Sequence, residues 1–194
     1  MNQTSAKKKS ITSGAEVVRI IEEPRDEYHS LRRILRKDVQ IGALVAAWQL
    51  TEDDGTRAML CDFYGYRKAR SALRILIGAL QSNNLGIRAS AAEALGTLGE
   101  SSAGPALMEA LRKETDPEVM HLLAPALGAC GYEQAIPALL QFLKGEDLVL
   151  VDQAVWALGE LHAQEARASL QELLHETSDS WRVAQIRKAL ARID

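Results

Sequence analysis

Four histidines and two cysteines are the side chains of this chain best suited to hold a metal or act as a nucleophile. A redox metal needs several such ligands drawn together. Here His29 is followed by Ser30, His121 by Leu122 and His162 by Ala163, and the only His-Glu dipeptide is His175-Glu176. Scattered in this way, all four read as surface or capping residues. Cys61, between Leu60 and Asp62, and Cys130, between Ala129 and Gly131, fall in apolar stretches. A thiol buried in such surroundings has a raised pKa and little reactivity. No Gly-rich phosphate cradle is present. The sequence thus offers no metal-ligand or nucleophile constellation, and no cofactor is expected from it.

Recognition chemistry is better represented. Tyr64 and Tyr66 lie among Arg67, Lys68 and Arg70, with Arg74 one helical turn on. Aromatic and Arg side chains are the types enriched at binding hot spots, and they can also stack on bases and pair with phosphates. The competing reading has Phe63 and Tyr64 in the core while the cations solvate a turn.

Composition bounds the class of protein. The 194 residues are 47% hydrophobic but only 5% aromatic, a balance that suits close helix packing better than a β-sandwich. A net charge of -3 excludes attachment to nucleic acid by bulk charge alone. Residues 1–85 carry 14 Lys and Arg against 10 Asp and Glu, whereas residues 86–194 carry 9 against 16. This bipolar charge is either plain solvation or a means of orienting a partner. Two cysteines cannot form a disulfide framework, so a reducing, cytoplasmic setting is expected. No apolar run reaches the length of a membrane span.

The elements that must position these residues announce themselves by repetition. Ala94-Leu95-Gly96, Ala126-Leu127-Gly128 and Ala157-Leu158-Gly159 recur at spacings of 32 and 31, and Ala189-Leu190-Ala191 follows as a worn copy. A period in this range marks a stacked repeat architecture. Ile87, Ala91, Leu95 and Leu98 share one helical face, and Gly99 is placed to end that helix. A second helix opens at Pro105 and turns Leu107, Ala110 and Leu111 inward, with Pro137 in register. The pattern predicts an all-α, right-handed α-solenoid of stacked helix pairs. In the aligned units the column of Trp156 holds Glu93, Pro125 and Lys188. Trp156 is therefore either an exposed binding anchor or packed against a neighbouring repeat.

Residues 87–99 and the Pro-Ala-Leu openings at Pro105 and Pro137 resemble HEAT-like repeats, in the short form found in E/F-type phycobilisome lyases. The resemblance spans residues 70–194. It implies a binding scaffold, and secondarily a bilin lyase-like, chromophore-handling protein whose partner would be a phycobiliprotein or bilin. One catalytic branch, the deoxyhypusine hydroxylases, holds two irons with His-Glu pairs. The stretch Pro117 to Leu122 is similar to the approach to such a pair, but Leu122 stands where the Glu is needed. Catalysis would thus rest on resemblance to the lyases alone.

Before residue 70 the register blurs. Residues 1–13 are expected to form a disordered tail. Residues 14–69 are expected to form an irregular helical cap with a degenerate leading repeat, including helices over Ala15–Glu23 and Tyr28–Lys37. The sequence as a whole predicts a non-catalytic scaffold or adaptor that binds another protein on the concave face lined by second helices. That face would present Arg74, Gln81, Glu109, Arg112, Lys113, Gln141, Lys144, Glu172 and His175. Nucleic-acid binding through the Tyr64–Arg74 region is the remaining alternative.

Overall fold

A computed structural model describes residues 10–22 and 39–194. The Tyr28–Lys37 helix and residues 1–9 of the expected tail lie outside the described residues. Ile11 does not behave as tail: it is buried, and its carbonyl accepts from Gln40 N at 2.9 Å.

The chain is an α-solenoid. Two leading helices, α1 (Gly14–Glu22) and α2 (Ile41–Trp48), pack on each other and then on the repeats. First helices follow at α3 (Asp54–Tyr66), α5 (Leu85–Leu98), α7 (Pro117–Ala129), α9 (Leu148–Glu160) and α11 (Ser180–Ile193). Between them come the second helices α4 (Leu73–Ala79), α6 (Gly104–Lys113), α8 (Ile136–Phe142) and α10 (Arg167–Glu176). Each first helix stacks on the next first helix, and each second helix packs against the first helix that follows it.

Four positions recur in every unit and explain why these residues form these elements. An Asp or Asn starts each first helix: Asp53, Asn84, Asp116, Asp147 and Asp179 each accept a hydrogen bond from a first-turn amide. Such caps satisfy donors that have no intrahelical partner. A left-handed residue then ends the handover into the second helix: Lys68 (φ 46°), Gly99 (φ 63°), Gly131 (φ 65°) and His162 (φ 50°). Next, a single 3₁₀ turn buries one alanine, Ala72, Ala103, Ala135 or Ala166. The fourth position is the glycine of the repeated signature, whose role lies in packing.

A Cβ on Gly65 would stand 2.9 Å from the Cα of Ala94, one on Gly96 3.1 Å from that of Ala126, one on Gly128 2.7 Å from that of Ala157, and one on Gly159 3.0 Å from that of Ala189. Each signature therefore works in both directions. Its Ala receives the glycine of the unit before, and its Gly receives the alanine of the unit after. The leading repeat joins this ladder through Gly65, which belongs to helix α3 and not to a turn.

This arrangement separates two kinds of helical glycine. Gly128→Ala forces backbones apart and should lower stability by about 1–3 kcal/mol. Gly78→Ala, whose new methyl meets nothing within 4 Å, should raise it by up to about 1 kcal/mol through helix propensity. Paired thermal melts of the two variants decide the matter; equal shifts would refute the close-approach account.

Candidate partner-binding surface

The second helices carry two parallel rows of polar side chains. Gln81, Arg112, Lys144 and His175 form one column at intervals of 31, 32 and 31 residues, and all four are exposed. Three residues earlier on each helix lie Gly78, Glu109, Gln141 and Glu172, likewise exposed. On α6 and α10 residues three apart share a helix face, so Glu109 stands beside Arg112 and Glu172 beside His175, whereas Gln81 and Lys144 lie in the turns just past α4 and α8. Lys113 sits 2.6 Å from Glu109, and that hydrogen bond holds the Glu109 carboxyl below its usual range. Among the described residues, neither Arg112 nor Lys144 has a carboxylate partner within ion-pair distance. Arg74 is exposed on α4, in the same row of helices.

The tyrosine-rich segment divides into separate roles. Tyr64 is a correction: its side chain is fully buried, and its hydroxyl donates to the Leu44 carbonyl at 2.9 Å. It occupies the column of Leu95, a core position, so it presents nothing to a partner. Burial pushes its phenol up, well above the ordinary value. Arg67 caps α3, half-buried, and Lys68 supplies the left-handed turn. Arg70 Nε lies 2.6 Å from Glu100 Oε1 and ties two units together. Of the two tyrosines only Tyr66 is exposed. It borders a groove of about 340 Å³ with Asp62, Gly65, Glu93, Ala94 and Thr97, on the first-helix side. Trp156 is half-buried on α9 and packs against the core. It too belongs to the first-helix row, so the structure does not unite it with Arg112, Lys113 and Lys144.

Both cysteines are buried. Desolvation pushes the Cys61 thiol up to about 12 and the Cys130 thiol up to about 11. Among the described residues no group of three His, Cys, Asp or Glu side chains could hold a metal ion, and no helix is long and apolar enough to cross a membrane.

Two features escaped the sequence reading. One is a set of polar links that tie each first helix to a neighbouring element. Arg88 Nε donates to Glu114 Oε2 at 2.8 Å, and His121 Nε2 lies 2.6 Å from the cap Asp147. Arg182 Nε donates to Asp152 Oδ1 at 2.6 Å, and Arg192 pairs with Glu160. The other is a row of exposed apolar side chains, Leu85, Leu148, Val149 and Trp181, in the first turns of α5, α9 and α11. An apolar residue directly after a capping Asp or Asn was the available signal.

These features define a protein of stacked helical repeats. The model of HEAT repeats matches residues 41–124 and 105–191, and the chain belongs to that family. No curated protein matches it. Among solved structures, the complex of CpcE and CpcF of phycocyanin lyase from Nostoc sp. PCC7120 is similar at 19% identity, with a TM-score of 0.51. That match covers 100% of this chain and 99% of the other. An engineered protein is similar at 18% identity with a TM-score of 0.59, covering 93% and 96%. Likeness at this level of identity shows the fold alone.

Two predictions follow from the turn and the cross-links. A lysine in the left-handed region carries a steric cost that glycine avoids, so Lys68→Gly should raise stability by about 0.5–1 kcal/mol after the loss of chain entropy, read as a shifted urea midpoint. The Arg88 hydrogen bond holds the Glu114 carboxyl below its ordinary 4.5, so its contribution is present above that value and lost as pH falls through the lower folded one. Urea titrations of Glu114→Gln should therefore show lower stability at neutral pH and a flatter acid limb than the parent chain.

Proposed function

We propose that this protein is a non-catalytic scaffold that binds another protein through the face of its second helices. The observation that supports this most is the in-register column Gln81, Arg112, Lys144 and His175, exposed and repeated once per unit. A fold needs no such column for its own stability, because exposed charges on a helix contribute little to folding. A partner that spans several units can pair with each in turn, which is how solenoids use their extended surfaces.

The chemistry of the face sets the character of the complex. Arg112 and Lys144, exposed near Glu109 and Gln141, favour a partner surface with acidic groups opposite the two cations. Complementarity of this kind steers encounter and fixes register more than it raises affinity. Binding should weaken as salt shortens the reach of exposed charges.

The experiment is capture of partners by the tagged protein from its source lysate at low and high salt, with co-purifying proteins identified by mass spectrometry. A stoichiometric, salt-sensitive partner is expected. The double substitution Arg112→Glu and Lys144→Glu should release it while leaving the thermal melt unchanged. Unaltered capture by that variant would remove the second-helix face from the reading.

A further inference from the structure

We propose that the edge formed by the first turns of α7, α9 and α11 is a second docking surface, one that takes a basic segment of another protein with apolar side chains set between lysines or arginines. Six large hydrophobic residues are exposed among the described residues. Five of them, Leu50, Leu85, Leu148, Val149 and Trp181, lie where one unit hands over to the next first helix. Scattered single apolar residues are ordinary on any surface; a row confined to one edge is not.

The row is densest at its C-terminal end. Leu148 is 56% exposed, Val149 50% and Trp181 57%. Glu118, Val149 and Trp181 occupy one column at intervals of 31 and 32, each the second residue of its helix. Arg182, next to Trp181, bonds Asp152 through Nε at 2.6 Å and Nη2 at 3.1 Å. That pair holds the first turn of α11 beside α9, so Trp181 and Val149 are neighbours on one ledge.

Charge decides the occupant. Glu146 and Asp147 directly precede Leu148, Asp179 lies two residues before Trp181, and Glu118 continues the column. The nearby cation Arg182 is spent on Asp152. Lys144, four residues before Leu148, and His121, whose Nε2 lies 2.6 Å from Asp147, are the other bases at this edge, which leaves Glu118, Glu146 and Asp179 as its carboxylates without an ion-pair partner among the described residues. An acidic rim around apolar knobs repels an anionic lipid surface, a nucleic-acid backbone and the same edge of a second copy. It attracts a partner whose apolar side chains are flanked by positive charge. Trp is among the residues most often found as a binding anchor.

This surface meets the second-helix face at Lys144, and the test tells the two apart by the sign of the charge each needs. The probe is a fluorescein-labelled synthetic peptide alternating Lys and Leu, compared by anisotropy with one alternating Glu and Leu. The Lys-Leu peptide should bind and the Glu-Leu peptide should not. Trp181→Ala with Val149→Ser should weaken binding about tenfold or more, as loss of an anchor does. Glu118→Lys with Glu146→Lys, which alters only exposed side chains outside the caps, should weaken it as well. Arg112→Glu with Lys144→Glu should leave at least as much binding as the parent, since it replaces cations with carboxylates and leaves the apolar row intact.

Absence of binding, equal binding of both peptides, or indifference to both edge variants would overturn the proposal. So would a concentration-dependent dimer, seen by sedimentation, that Trp181→Ala abolishes, because a second copy would then be the occupant. Failure of the second-helix variant in the lysate experiment leaves this result untouched, and the reverse also holds.

Discussion

Every unit of this protein depends on one contact, a glycine of one first helix lying against an alanine of the next. With no Cβ on Gly65, Gly96, Gly128 or Gly159, backbone meets backbone at distances that any side chain would prevent. Close approach multiplies dispersion contacts along the whole helix pair. It also sets register, because a glycine must face an alanine at every step. The caps, the left-handed turns and the buried alanines of the 3₁₀ turns then fall at matching heights in successive units. The cross-links between units, such as His121 to Asp147 and Arg182 to Asp152, reach their partners because the stack is this tight.

The same geometry sorts charge. First helices run parallel, so their N-termini gather on one edge, and each is capped by Asp or Asn. Carboxylates there complement the positive helix ends. This places part of the acidic excess of residues 86–194 on a single edge, while Arg112 stands on α6 and Lys144 just past the end of α8. The bipolar composition is thus divided between neighbouring parts of one solenoid.

The repeat was legible because Ala-Leu-Gly serves packing directly, and packing demands the same residues in each unit. Where a unit met the same demand with other residues, the sequence concealed it. Phe63-Tyr64-Gly65 occupies the place of Ala94-Leu95-Gly96, but two aromatic rings beside three cations read as a recognition segment. Tyr64 is tolerated in a core column because Leu44 offers its carbonyl to the hydroxyl, a partner contributed by α2. Lys68 and His162 hid the turn position in the same way, since a left-handed backbone normally favours glycine. The exposed row at Leu148, Val149 and Trp181 was missed for the opposite reason. Apolar residues just after a cap look like the first core positions of a helix.

The sequence by itself determined the architecture: helix pairs, their period, the small residues that let them stack and the positions where first helices begin. Those are local or nearest-neighbour properties, and a repeated pattern writes them several times over. Only the tertiary structure decided which polar and aromatic residues reach solvent. Tyr64 is buried, Arg70 is tied to Glu100, Trp156 leans on the core, and among the described residues Arg112 and Lys144 stand without a carboxylate at ion-pair distance. Exposure depends on what the adjacent unit contributes about thirty residues away, and no single repeat carries that information.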